Sequence, residues 1–215
     1  MSSRNLTDIV KHVTDLIEEK RLEEAAIELE QAIAEFDSEP LLYTLLGKIR
    51  MQLGNHEEAI KLLLTASERN PDDLQNWSWL GESYQELDRL EEAEDAYGRA
   101  LEIDPDDFRS LMGMGLVLKK LEKNEESEAA YLRAYVINPN DIECLSILGL
   151  TELIKGEYVT AEGWLRKAIE VNPSHFLPWG SLSVVLGLMG REEEQKEAWD
   201  RFEELTGTSI DDEND

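Results

Sequence analysis

The chain has 215 residues, of which 41% are hydrophobic and 32% charged, with 48 acids against 21 bases and a formal net charge of −27. Such a charge repels phosphate backbones and anionic membrane surfaces, so nucleic acid and lipid headgroups are excluded as natural partners. A single cysteine, Cys144, excludes an intramolecular disulfide and points to a reducing, cytoplasmic setting, and no apolar run reaches the length of a membrane span.

Taken in chain order, the N-terminal stretch MSSRNLTDIVKHVTDLIEE carries acids early and lacks the apolar core of a signal peptide. Residues 1–39 read as a degenerate helical hairpin, in which Leu16, Ala25, Leu29 and Ala32 keep the spacing of the later units. From there Pro71, Pro105, Pro139 and Pro173 recur every 34 residues, each behind a helical pattern. A fixed period of that length marks a stacked repeat array. Five blocks follow, 40–73, 74–107, 108–141, 142–175 and 176–209, each predicted as helix A, a turn, helix B and a proline-marked turn. The expected fold is all-α, a right-handed solenoid of helix-turn-helix hairpins. Residues 210–215 read as an acidic, disordered tail.

Small and large residues alternate along the blocks. The eighth position is Gly47, Gly81, Gly115, Gly149 and then Ser183. A helical glycine costs about 1 kcal/mol against alanine, so its reuse implies that helix B comes too close there for a side chain. Ala59, Ala93, Ser127 and Ala161 are the matching small residues on helix B, and Tyr43, Trp77, Leu111, Leu145 and Trp179 are knobs on helix A. Helix B usually opens with acids, such as Glu57-Glu58 and Glu91-Glu92, which favour the helix dipole. It should stop before each proline, because the preceding residue is pushed out of helical geometry. Arg50 and Glu152 interrupt the apolar eleventh position, and their stems are expected to lie on apolar surface with the charge in water.

These residues resemble the tetratricopeptide repeat family. The second block fits best, through Trp77, Leu80, Gly81, Tyr84, Ala93, Tyr97, Ala100 and Pro105, and the resemblance covers 40–209. It implies a protein–protein interaction scaffold or adaptor, an assembly factor or co-chaperone-like protein, with no enzymatic activity. The alternative is a self-assembling structural subunit, and an enzyme is a remote third reading. The resemblance also places the concave groove on helix A. Its lining would be Met112, Leu116, Lys119 and Lys120, then Leu150, Leu153 and Ile154, then Leu177, Val184 and Leu188, an apolar surface with a basic lip. The implied occupant is an apolar or amphipathic protein segment with acids at one end. Family members that clamp chaperone C-termini need Lys, Asn and Arg at five positions. Here those positions read Thr44, Lys48, Trp79, Arg109 and Gly113, so that activity is disfavoured.

No chemistry stands out. His12, His56 and His175 share no zinc-binding spacing and Cys144 has no second cysteine, so neither a metal nor a cofactor is expected. The GMG at 113–115 lies in a helix, away from any strand, and Gly113 either thins the helix for packing, the preferred reading, or opens room for a ligand. Trp199 and Phe202, on the last helix B with no repeat beyond them, are expected to be partly exposed or used for self-association, which leaves a homo-oligomer open.

Overall fold

A computed structural model describes residues 5–207, and the acidic-tail expectation for 210–215 lies outside them. Twelve α-helices occur among the described residues. They are α1 (Leu6–Glu18), α2 (Leu22–Glu35), α3 (Pro40–Gln52), α4 (His56–Arg69), α5 (Leu74–Glu86), α6 (Leu90–Ile103), α7 (Phe108–Lys120), α8 (Asn124–Ile137), α9 (Ile142–Lys155), α10 (Tyr158–Val171), α11 (Phe176–Leu188) and α12 (Glu192–Thr206). Odd-numbered helices are the A helices and even-numbered ones the B helices. The architecture is the all-α solenoid type, built of stacked helix-turn-helix hairpins. The chain divides into two compact units, residues 1–123 and 124–215. That boundary falls inside the block drawn at 108–141, between its two helices.

Local sequence explains where each helix starts and stops. Asn5, Asp73, Asp107 and Asp141 cap α1, α5, α7 and α9 by accepting a backbone N–H in the first turn. The B helices α2, α4, α6 and α12 lack such a side-chain cap and instead carry two or three glutamates in their first turn. Before the prolines, Asn70, Asp104 and Asn172 leave helical geometry with ψ of 81°, 101° and 96°, as the pre-proline clash demands. Between A and B the chain reverses through one left-handed residue, Gly54, Gly156 or Gly190 in three of the turns.

In unit 1, two apolar clusters form the core. Ile9, Val13, Leu16, Ala25, Leu29 and Leu46 make the first, so the degenerate first hairpin is fully built. Val13 stands there where later hairpins have glycine, and α1 and α2 are less closely apposed than α3 and α4. Trp79, Leu80, Tyr84, Ala93, Tyr97 and Val117 centre the second cluster. In unit 2, Leu165, Leu182, Val185, Leu186 and Ala198 form the core.

The glycine positions set the hairpin spacing. A Cβ on Gly81 would sit 2.7 Å from the Tyr97 ring, and one on Gly149 would sit 2.8 Å from Leu165 Cγ. Gly113 is a packing residue too, since a Cβ there would fall 2.7 Å from Tyr97 Cε1. Arg50 and Glu152 depart from expectation. The Arg50 side chain is only 18% exposed and paired with Glu30 and Glu58, while Glu152 is mostly covered and holds Lys155 at 2.8 Å. Their charges are therefore matched by neighbours and do not simply reach water.

Candidate functional site

The A-helix face of unit 2 is built by α9 and α11, which pack against each other. Helix α11, FLPWGSLSVVLGL, contains no charged residue. A helix apolar all round is normally buried all round, and α11 is not. It turns Pro178, Ser181, Leu182, Ser183, Val185 and Leu186 inward. On its other side Leu177 is exposed, Val184 is 50% exposed and Leu188 55%. On α9, Ile154 is 74% exposed. Leu150 is half-buried, and Leu153 is half-buried against the unit 2 core. Two adjacent helices thus present a row of aliphatic side chains to the outside.

The remaining sequence-predicted groove residues lie on α7, in unit 1. Leu116 is exposed and Met112 half-buried. Lys120 is ion-paired with Asp88 at 3.1 Å, and Lys119 is half-buried. The basic lip is therefore already partly neutralised within its own unit. Several A-helix residues elsewhere in unit 1 are polar and tied to neighbours. Thr44 Oγ1 and Asn76 Oδ1 lie 2.8 Å apart in a buried hydrogen bond, Lys48 lies over the Trp79 ring at 5.3 Å, and Arg109 meets Glu82 at 3.6 Å.

At the far end of unit 2, Trp199 is 37% exposed and Phe202 half-buried. Phe202 packs on Trp199 at 5.2 Å and on Phe176 at 6.1 Å between ring centroids, and its edge occupies the space that a Cβ on Gly180 would need. Carboxylates at the hairpin turns link neighbouring repeats inside this unit. Glu162 receives hydrogen bonds from Arg166 (2.8 Å) and Arg191 (2.6 Å). Burial pushes its carboxyl up, and the two guanidinium groups more than offset this, leaving it below the ordinary carboxylate range. Cys144 is fully buried, its Sγ directed at the Tyr131 carbonyl oxygen at 3.4 Å. Burial pushes its thiol up to about 12, which makes it an inert core residue.

Among the described residues no group of three or more His, Cys, Asp or Glu is placed to hold a metal, and no helix is long and apolar enough to cross a membrane. Sequence reasoning missed a cavity between α4, α5 and α6 in unit 1, lined by Trp77, Tyr84, Glu91 and Asp95 among others. The aromatics read as core knobs and the acids as a helix start, so no signal in the one-dimensional pattern set them apart.

A sequence model of the tetratricopeptide repeat matches residues 44–108 and 80–142. No curated protein matches the chain. Among solved structures, a tetratricopeptide repeat protein from Parabacteroides merdae superposes with a TM-score of 0.77 at 20% identity, over 94% of this chain and 79% of that one. MamA from Desulfovibrio magneticus gives 0.73 at 18% identity, over 80% and 97%. YrrB, described as a tetratricopeptide repeat protein with an unusual peptide-binding site, gives 0.71 at 20% identity, over 85% and 94%. The sequence match, the 34-residue period and the glycine-spaced hairpins identify residues 44–142 as tetratricopeptide repeats, and the solved structures share the fold over most of the chain.

Proposed function

We propose that the protein is an adaptor that holds an apolar or amphipathic segment of a partner protein on the α9–α11 face of unit 2. The observation that carries this reading is the exposed aliphatic row of Ile154, Leu177, Val184 and Leu188 on two helices that otherwise follow the repeat pattern. An amphipathic helix laid across such a face would bury its own apolar stripe against it. Lys120, on the basic lip, is already paired with Asp88. A cytoplasmic role as assembly factor or co-chaperone-like scaffold goes with this reading.

The test compares the full chain with an Ile154→Asp, Val184→Asp variant, both of whose sites are at least half exposed. Partners captured from lysate by the unaltered chain should be lost, about 100-fold or more weaker, with helicity unchanged in circular dichroism. Cross-links from the partner should map to α9 and α11. Cross-links confined to B helices, with the variant binding normally, would overturn the reading.

A second reading, self-association, is favoured by the Phe176–Phe202–Trp199 ring chain on the last hairpin. Trp199→Glu tests it, because Phe202 is needed for packing on Gly180. Sedimentation should show a concentration-dependent oligomer that the variant loses; a monomer at all concentrations removes this reading.

A further inference from the structure

The cavity between α4, α5 and α6 has about 270 Å³ of space and lies wholly within unit 1. Its floor is apolar, made by Trp77, Leu80 and Tyr84 with Leu64 at one side, and its rim carries three carboxylates, Glu91, Glu92 and Asp95. That volume suits one long side chain and is below the size of pockets that enclose a small-molecule ligand. Tyr84 is 8% exposed, and its hydroxyl, which makes no hydrogen bond among the described residues, is not one of the buried unpaired polar atoms and so stays open to an incoming donor.

Two arginines of the chain already show which chemistry these walls accept. Arg89 lies over the Tyr84 ring at 4.7 Å while paired with Glu92 at 2.7 Å. Arg99 lies over the Trp77 ring at 5.1 Å while paired with Asp95 at 3.3 Å. Each cation combines a ring face with a carboxylate. Glu91 makes no ion pair among the described residues, so the rim keeps an unmatched negative charge. The whole chain, at −27, draws positive segments toward it.

We propose that this cavity is a socket for one lysine or arginine side chain from a basic segment of a partner protein. The methylene stem lies against Trp77 and Leu80, as long cationic side chains do on apolar surface. The charged head meets Glu91 and Asp95 and donates a hydrogen bond to the Tyr84 hydroxyl. This surface is formed by other helices than the α9–α11 face.

The probe is acetylated, amidated hexalysine, titrated onto the full chain at low ionic strength. Calorimetry gives the affinity, and the indole N–H resonance of Trp77 reports the place. The Trp77 signal should shift on binding. Glu91→Gln with Asp95→Asn should weaken binding tenfold or more and Tyr84→Phe threefold or more. The remote pair Glu23→Gln with Glu24→Gln on α2 removes the same charge and should change affinity less than twofold. Equal weakening by the remote pair, or a stationary Trp77 signal, overturns the proposal and leaves only general attraction of cations. Should the rim variant fail to fold, the unaltered chain's Trp77 shift and the Tyr84→Phe affinity still decide. The neutral variant Ile154→Ser with Val184→Ser should change hexalysine affinity less than twofold, which separates this test from that of the adaptor face.

Discussion

Helices α3 and α5 of unit 1 and α9 and α11 of unit 2 follow one repeat pattern and differ in the chemistry of their A-helix faces. In unit 1 the ninth and thirteenth positions of the blocks at 40 and 74 are Lys48, Gln52, Glu82 and Glu86; in unit 2 they are Leu150, Ile154, Val184 and Leu188. Unit 1 ties its polar groups inward, through Thr44 to Asn76 and Lys48 to the Trp79 ring. Unit 2 leaves aliphatic side chains facing out. Helical packing is served equally well by both, since neither set lies between the helices of a hairpin. Packing within a hairpin does not require the difference, and it is what supports the proposal of a partner on unit 2.

The hairpin interiors differ as well, and the largest expected effect breaks one of them. Gly81→Leu forces a side chain into the Tyr97 ring, 2.7 Å from where its Cβ would start. It should cost about 3 kcal/mol, roughly 6–12 °C in Tm for a chain of this size. A variant melting like the unaltered protein would show that the ring is free to move. Next comes a matched pair, Gly81→Ala in unit 1 and Gly149→Ala in unit 2. Both place a Cβ inside normal contact distance, against a rigid ring in one case and the branched end of Leu165 in the other. Leucine can rotate and the ring cannot shrink, so the unit 1 variant should lose about 1–2 kcal/mol more in urea titrations. Equal losses would mean that the two interiors yield alike.

How much of this was legible in the sequence follows from what each residue has to do. Positions that touch within a hairpin repeat every 34 residues, so Gly47, Gly81 and Gly149 announce the packing at once. The end of each B helix is equally plain, because a proline can only be accommodated one way. Positions that touch between hairpins leave a weaker trace. Arg50 looked like an isolated departure, because its partners, Glu30 and Glu58, sit on different helices at unrelated spacings. The aliphatic row on α11 was readable, since a helix without a charge stands out. The break between residues 123 and 124 was not, because the repeat period runs through it unchanged. The Trp77–Tyr84 cavity was hidden for a different reason: both rings occupy positions that the repeat uses for packing, and a hollow beside them leaves no mark on composition.

The polar seam of unit 1 gives a further way to test the comparison. Thr44→Val alone leaves Asn76 Oδ1 buried without its partner, while Asn76 Nδ2 already has none. It should cost about 1–3 kcal/mol. Adding Asn76→Leu removes the orphaned amide, and the double variant should return to within about 1 kcal/mol of the original stability. Strict additivity of the two losses in urea unfolding would mean that the seam is not a coupled pair, and that the polar character of unit 1 has another cause.

The smallest expected effect concerns pH. Glu162 in unit 2 is held by Arg166 and Arg191, and its folded carboxyl titrates below the ordinary range despite partial burial. A group depressed in the folded state adds stability above its unfolded pKa and loses it as pH falls through the folded value. At neutral pH, Glu162→Gln should therefore lower Tm by roughly 2 °C, since a partly exposed pair contributes modestly. The gap should close as pH drops below the ordinary carboxylate range, because the unaltered Glu162 then also becomes neutral. In unit 1 the corresponding Glu94 meets one lysine, Lys123, at 2.6 Å, in place of two arginines. A lysine offers a point charge where two guanidinium groups offer directed forks, so Glu94→Gln should shift Tm less. Should the Glu162→Gln gap persist unchanged well below the carboxylate range, the loss would come from packing of the side chain, and the ion pairs at the hairpin turns would not distinguish the two units.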